Sequence, residues 1–188
     1  MKKLVMLTAV AALAAPLFAQ ETAKKDVKPE QAQETRRTTN AVWPAFFAIG
    51  EFPANPDVVG LRLTIPFSTQ QENVTGLDLG LWGRSIYFEG IQVNLLRNDV
   101  KDRCAGFQVG CYNSIGSGEM LGLQVGLWNE ANALRGFQVG LVNVSGETEG
   151  IQVGLINRAE TMHGYQVGLI NVIRDAELQF FPIVNIGF

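Results

Sequence analysis

Apolar and polar side chains alternate along most of this chain within an eight-residue unit, Gly-Φ-Gln-Val-Gly-Leu-Φ-Asn, in which Φ is apolar. If the first glycine is position 0, positions 1, 3 and 5 are apolar, as in Phe137, Val139 and Leu141. Positions 0, 2 and 4 are glycine, glutamine and glycine. A period of two predicts β-strands. The sequence has no apolar stripe with the 3.6-residue period of a helix. The pattern therefore predicts an all-β fold.

The unit recurs at short, even steps of 14 or 16 residues. Its seven copies open at Gly76, Gly90, Gly106, Gly122, Gly136, Gly150 and Gly164, and a degenerate copy begins at Gly60. The 56 positions of the seven units hold two charges, Asp78 and Arg97, whereas the 46 positions in the connecting turns and in 172–177 hold 16. A fixed short period indicates a repeat architecture. Uncharged bands between charged turns are typical of a sheet that lies in a packed core or in lipid.

Two arrangements of the units are open. In an antiparallel meander with three-residue loops such as 145–147, the apolar positions of neighbouring strands match, and each bulky position 6 faces a glycine. In a parallel β-solenoid with 14–16-residue coils, equivalent positions stack and the Gln and Asn side chains form ladders, with Asn inward at a corner. That solenoid would present Gln, Gly and the bulky position 6 on an uncharged outer face.

The C-terminal segment 178–188 favours the meander. Its apolar residues alternate and end in Phe188, so the segment resembles the closing strand of bacterial outer-membrane barrels, whose terminal aromatic is read by the insertion machinery. The main prediction is a small outer-membrane β-barrel of about ten strands with a filled interior. The predicted strands are 42–50, 58–67, 75–83, 89–97, 104–113, 120–129, 134–144, 148–158, 162–172 and 178–188.

The N-terminus predicts export. Residues 1–19 read as a signal peptide, with Lys2 and Lys3 before an apolar stretch that is too short to span a membrane and Ala19 at the cleavage point. Residues 20–40 hold nine charges and predict a disordered leader, so 41–188 is the β repeat domain. The expected location is the outer membrane or the cell surface.

Charge and cysteine spacing narrow the function classes. The domain 41–188 has 8 basic and 14 acidic residues, or −6, which argues against a nucleic-acid partner. Cys104 and Cys111 lie seven residues apart on one predicted strand and point to opposite faces, so the sequence predicts free, packed thiols rather than a disulfide.

Few residues offer chemistry. His163, the only histidine, falls between units and is predicted to be a solvated turn residue. Scattered acidic residues are expected to be solvated rather than calcium ligands; these are Asp99, Asp102, Glu119 and Asp175. The glutamines are predicted to bond to one another in a filled interior, with a polar-solute lumen as the alternative; these are Gln92, Gln108, Gln124, Gln138, Gln152 and Gln166. No catalytic, cofactor-binding or metal-binding residue is assigned, and no cofactor is expected.

The units, most regular in 122–171, resemble those of the bacterial surface-repeat family described from leptospiral surface lipoproteins, and the Phe-Phe-Pro-Ile-Val-Asn-Ile-Gly-Phe ending looks like those that follow such arrays. The resemblance covers about 60–188 and implies an exported, envelope-associated protein without enzymatic activity. The chain departs from the lipoprotein members because no Cys follows its N-terminal apolar stretch. We therefore expect a structural or surface-contact protein; the alternatives are an exported β-solenoid adhesion module and a narrow polar-solute channel. The expected partners are outer-membrane lipid and the barrel-insertion machinery.

Overall fold

The chain folds as a parallel β-solenoid. In the computed structural model, which describes residues 45–49, 57–65 and 71–188, one sheet contains six strands in sequence order. The strands are β1 Ala45–Ile49, β2 Asp57–Thr64, β3 Gln71–Val109, β4 Tyr112–Val153, β5 Ile156–Ile173 and β6 Phe180–Gly187. The predicted signal peptide 1–19 and leader 20–40 lie outside the described residues. Within the described ranges, no helix has the length and apolar character that a membrane crossing needs.

Successive units stack in parallel and in register. In β4 and β5, Gly150 pairs with Gly164, Gln152 with Gln166 and Val153 with Val167. The degenerate unit at Gly60 stacks on Gly76 in the same way. The 16-residue coils follow the same ladder with one register shift between Val100 and Cys104, after which Gly106 pairs with Gly122. The parallel solenoid, the alternative drawn from the sequence, is therefore confirmed.

The antiparallel barrel is wrong. Val142 pairs in parallel with Ile156 instead of facing Gly150, and 145–147 continues the extended chain instead of forming a hairpin loop. The reason lies in the polar side chains. An antiparallel pair sets Gly140 against Gln152, whereas parallel stacking sets each glutamine on its own copy, where the two amides bond to each other. Seven of the ten predicted strands, from 75–83 to 162–172, accordingly merge into the long elements β3, β4 and β5, which bend at the corners of each coil. The predicted strands 42–50, 58–67 and 178–188 remain separate as β1, β2 and β6.

The predicted closing strand is a cap on the last coil. β6 is the one antiparallel strand among those described, and it pairs Gly187 with Gly164 and Val184 with Val167. Pro182 is tolerated in β6 because this strand lies at the edge of the sheet, where a missing N–H breaks no central ladder bond.

The interior contains both amides and apolar side chains. Each coil directs its Gln and Asn inward, and two further side chains fill the rest of the coil. The apolar members of this filling are Val58, Val74, Phe88, Val100, Cys104, Ile115, Met120, Ala131, Leu134, Ala159, Met162 and Ile173. Ser145 and Thr148 interrupt the apolar column in the coil that opens at Gly136, and their hydroxyls bond to each other. A narrow coil of this kind buries few apolar atoms, so polar pairing carries much of its interior.

The first glycine of each unit allows the coils to approach closely. Gly150 has φ +149°, and a Cβ added there would overlap the carbonyl oxygen of Gly136 in the coil before it. No L side chain adopts this backbone conformation without strain, so the repeat requires glycine at position 0.

We therefore expect Gly150→Ala to lower the free energy of unfolding by about 3 kcal/mol or more, from backbone strain and the clash with Gly136. Chemical denaturation monitored by circular dichroism measures the change. Glu149→Ala, next to it on the surface, is the control and is expected to stay within about 0.5 kcal/mol of the unmodified protein. A Gly150→Ala protein as stable as the control would contradict the close approach of the coils.

Candidate functional site

The six repeated glutamines form one ladder inside the solenoid. Each is fully buried, and from Gln108 onward the Nε2 donates to the Oε1 of the glutamine in the preceding coil at 2.8–2.9 Å. The ladder joins Gln92, Gln108, Gln124, Gln138, Gln152 and Gln166. The prediction that these amides satisfy one another in a filled interior is confirmed, with the difference that they fill a solenoid rather than a barrel.

A second ladder of asparagines runs in the opposite direction. Asn143, for example, donates from Nδ2 to Oδ1 of Asn157 in the following coil at 2.8 Å and to the carbonyl oxygen of Val153 at 2.9 Å. Both amide hydrogens are thereby used, one on a side chain and one on the backbone. The ladder joins Asn98, Asn113, Asn129, Asn143, Asn157 and Asn171.

The glutamine ladder ends at a buried ion pair. Arg62 and Asp78 occupy position 2 of the first two coils, so they replace glutamine in the column, and an Arg62 guanidinium nitrogen lies 2.6 Å from Asp78 Oδ2. The same oxygen accepts from Gln92 at 2.8 Å and from Asn94 at 3.1 Å. A carboxylate suits this end because the first glutamine donates and its neighbour has only to accept.

The outer surface carries an unbroken apolar face, which we define as the side chains at positions 1, 3 and 5 of the units. The repeated valines at position 3 form its central row, and Val93, Val109, Val139, Val153 and Val167 are each 38–39% exposed. Larger exposed side chains flank this row; they include Ile91, Phe107, Phe137 and Tyr165 on one side and Leu95, Leu127, Leu141, Leu155 and Leu169 on the other. In β6, Val184 pairs with Val167 and Ile186 with Tyr165, so the cap extends the same rows.

This face inverts the expectation for a solenoid. The solenoid drawn from the sequence has glutamine on its outer face, whereas the structure turns glutamine inward and the apolar positions outward. Alternation identifies two faces of a strand without saying which one is buried. Soluble monomers seldom expose a continuous apolar patch of more than a few hundred Å². Among the features of the described structure, this face is therefore the strongest candidate for a functional surface.

Ion pairs border the apolar face. On one border Arg103 and Arg135 lie 3.4 and 3.9 Å from Glu119, and Arg135 also lies 3.4 Å from Glu149. Elsewhere on the coils the pairs are Arg97–Asp99, Arg158–Glu160 and Arg174–Glu160. Exposed pairs of this kind stabilise the fold little. They do leave the borders electrically mixed rather than basic or acidic.

The bulky position 6, which the solenoid alternative places on the outer face, packs on the outside of a corner. The Arg97 guanidinium lies between two rings, 5.7 Å from the centre of Trp82 and 4.7 Å from that of Tyr112. Tyr112 in turn stacks on Trp128 with ring centres 6.4 Å apart. Burial, together with the hydrogen bond that the Tyr112 hydroxyl donates to Glu130, raises the pKa of Tyr112 to about 12. The aromatic faces thus contact each other and the arginine.

One depression interrupts the leucine row. Cys111 occupies position 5 between Leu95 and Leu127, where its shorter side chain leaves a shallow hollow of about 460 Å³. The prediction of free thiols is confirmed, but only Cys104 is packed, and burial raises the pKa of its thiol to about 12. The Cys111 thiol is exposed, so it is the reactive one of the two.

The other residues that the sequence offers for chemistry do not come together in one site. His163 is exposed at the surface, as predicted, but it lies within β5 and pairs with Glu149 rather than lying in a turn. Among the residues that the structure describes, no three His, Cys, Asp or Glu side chains come together as a metal site. The acidic residues considered for calcium, at positions 99, 102, 119 and 175, accordingly form no shared cluster.

Comparison with protein-family models, with curated proteins and with solved structures finds no match for this chain. The resemblance to the surface-repeat family therefore stays a prediction.

Replacing Gln138 or Gln152 by Leu should lower the free energy of unfolding by roughly 1–3 kcal/mol each, because each change leaves buried amide partners unpaired. The double variant should cost less than the sum, since the two residues bond to each other. Denaturant unfolding measures all three. Asn132→Leu, the same chemical change at an exposed position, is the control. Additive losses would contradict a continuous ladder.

Arg62→Met and Asp78→Leu should each lower the free energy of unfolding by roughly 3–5 kcal/mol, because either change leaves a buried charge without its partner. The combined variant should cost no more than the worse single change, since both charges are gone. Thermal unfolding of the three proteins gives the comparison. A double variant that is markedly less stable than either single one would show that the pair is not coupled.

Proposed function

We propose that this chain is a non-enzymatic contact module of the cell envelope, and that its apolar face makes the contact. The observation that carries the proposal is the face itself: each coil from Gly90 onward exposes one or more of its apolar side chains at positions 1, 3 and 5, and most of these coils expose two or three. Water contact with so much apolar surface is unfavourable by about 25 cal/mol per Å². A partner that covers the face removes that cost, so binding is the role that this geometry favours.

The interior supports a structural role for the polar residues. Each glutamine of the ladder bonds to its neighbours, and each ladder asparagine from Asn98 to Asn157 uses both amide hydrogens within the coil stack. Buried amides that already bond to one another have less capacity to bind a passing solute. This argues against the narrow polar-solute channel considered from the sequence.

The absence of enzymatic activity is part of the proposal. Within the described ranges, the cysteine with a raised pKa is packed in the core, and the exposed His163 has no cluster of metal-ligating side chains beside it. The glutamines, the other repeated polar groups, are sealed inside. What the coils present repeatedly to the outside is apolar surface.

An envelope location is proposed from the N-terminal pattern. Lys2 and Lys3, the following apolar stretch and Ala19 match an export signal, and the repeats resemble those of exported surface proteins. The contact would then be made outside the cytoplasm, where an uncovered apolar strip meets other envelope components.

The test combines processing with shielding of Cys111. The full chain, expressed with its own N-terminus in a bacterium with an outer membrane, should be cleaved before Gln20 and recovered in the envelope fraction. There, a membrane-impermeant maleimide should label Cys111 at least tenfold more slowly than in the unfolded chain, because a partner covers the face.

The matched variants lie in one coil. Val139→Lys with Leu141→Lys places two charges on the apolar face, two coils away from Cys111, and should restore fast labelling. Glu147→Lys, exposed in the same coil but off that face, should leave Cys111 shielded. An uncleaved chain in the cytoplasm, or Cys111 that reacts equally fast in all three proteins, would refute the proposal.

A further inference from the structure

The apolar face is large enough for a specific protein interface. Coils rise by about 4.8 Å, and positions 1 to 5 span about 13 Å of strand, so seven coils present roughly 35 by 18 Å with side chains included. That is about 600 Å² on one copy and about 1,200 Å² when two such faces meet, which reaches the range of stable protein–protein interfaces.

The spacing of the rows restricts the partner. The valine row repeats one side chain at every coil from Gly90 onward, and the flanking rows repeat small to large apolar side chains, so ridges and hollows follow one another along the solenoid axis at the coil rise. Close packing over all the coils requires a partner with the same rise, because any other spacing drifts out of register within a few coils. A second copy of this chain has that spacing by construction.

Charge separates this partner from a lipid surface. The domain 41–188 carries −6, and one border of the face is lined by guanidinium groups that already contact Glu119 and Glu149. An anionic membrane is bound by an excess of Lys and Arg beside the apolar strip, and that excess is missing from the borders described here. The face therefore favours a partner that binds through complementary shape and apolar area rather than through charge.

A twofold pair fits the order of the rows. In such a pair the axis lies between the two faces, and each row meets either itself or its mirror position. The twofold axis can run parallel to the solenoid axis or parallel to the strands. In both cases it places the central valine row of one copy over that of the other. The uniform exposure of Val93, Val139 and Val167 gives this central row an even height, which suits two sheets packed about 10 Å apart.

We propose that the occupant of the apolar face is a second copy of this chain, packed face to face with the valine row at the centre. This rests on the proposed function, which assigns contact to the same face, and it adds the identity of the partner. The cap takes part because Val184 and Ile186 extend the rows beyond the last coil.

Light scattering coupled to gel filtration tests the proposal on the purified full chain in detergent-free buffer. At tens of micromolar we expect twice the mass of the single chain. Val139→Lys with Leu141→Lys should give the single mass, and Glu147→Lys should keep the double mass. Far-ultraviolet circular dichroism of each variant confirms that the β fold is retained.

Cys111 provides a readout that needs no substitution. It is exposed on the face, while Cys104 is buried with its pKa raised to about 12, so a maleimide labels one site in the folded chain. In a pair, the labelling rate should fall at least fivefold as the protein is concentrated from the nanomolar to the tens-of-micromolar range. This result remains decisive if the lysine variants fail to fold.

Two results would contradict the proposal that a second copy covers the apolar face: a single mass at every concentration, and a Cys111 labelling rate that does not depend on concentration. Vesicles of phosphatidylcholine then separate the two proposals. If the single chain floats with vesicles and Cys111 becomes shielded there, the face is a lipid contact and only the second copy fails. If it neither floats with vesicles nor has its Cys111 shielded in the envelope fraction, the contact function fails as well.

Discussion

Hydrogen bonding between equivalent amides in successive coils is the interaction on which this structure depends. A buried amide without a partner costs about 1–3 kcal/mol, and the repeat would incur that cost at every Gln and Asn. Stacking each amide on its own copy removes the cost, but it requires parallel, in-register coils. It also requires close approach, which the glycines at position 0 permit; Gly150 at φ +149° is one example. Because these polar side chains occupy the centre, the apolar positions that alternate with them must point outward. The ladders, the glycines and the apolar face are thus linked consequences of one pairing rule.

Much of the fold follows from the sequence by this reasoning, and the direction of pairing does not. Period-two alternation predicts the strands, the unit spacing predicts the coils, and the degenerate copy at Gly60 stacks where expected. Both arrangements preserve the two faces, so alternation alone does not choose between them, and the barrel-like ending at Phe188 favoured the wrong one. A better signal was present. Arg62 and Asp78 fall at position 2 of consecutive units, and opposite charges at one unit position meet only when the units stack in parallel.

The candidate site is harder to predict than the fold, because a pattern of alternation does not say which face is covered. Leucine and valine are usually inside, and that preference assigned the apolar positions to a core or to lipid. The recurring glutamine carried the opposite information, since an amide repeated in every coil pairs most completely where all copies stack. The hollow at Cys111 becomes apparent only when the coils are aligned, because one small residue then lies in a row of leucines.

The equivalence of the internal coils has a consequence for how such a chain changes in length. Every internal coil donates and receives the same bonds, so deletion of 136–149 would bring Gln152 onto Gln124 with an equivalent bond, and duplication of that stretch would do the reverse. The ends differ, with Asp78 as a pure acceptor at one end and the reversed strand β6 at the other. Recombination between units can therefore lengthen or shorten the array while its terminal chemistry stays the same. Each step alters the apolar face by about 4.8 Å along the solenoid axis, so the area of that face changes in whole-coil increments.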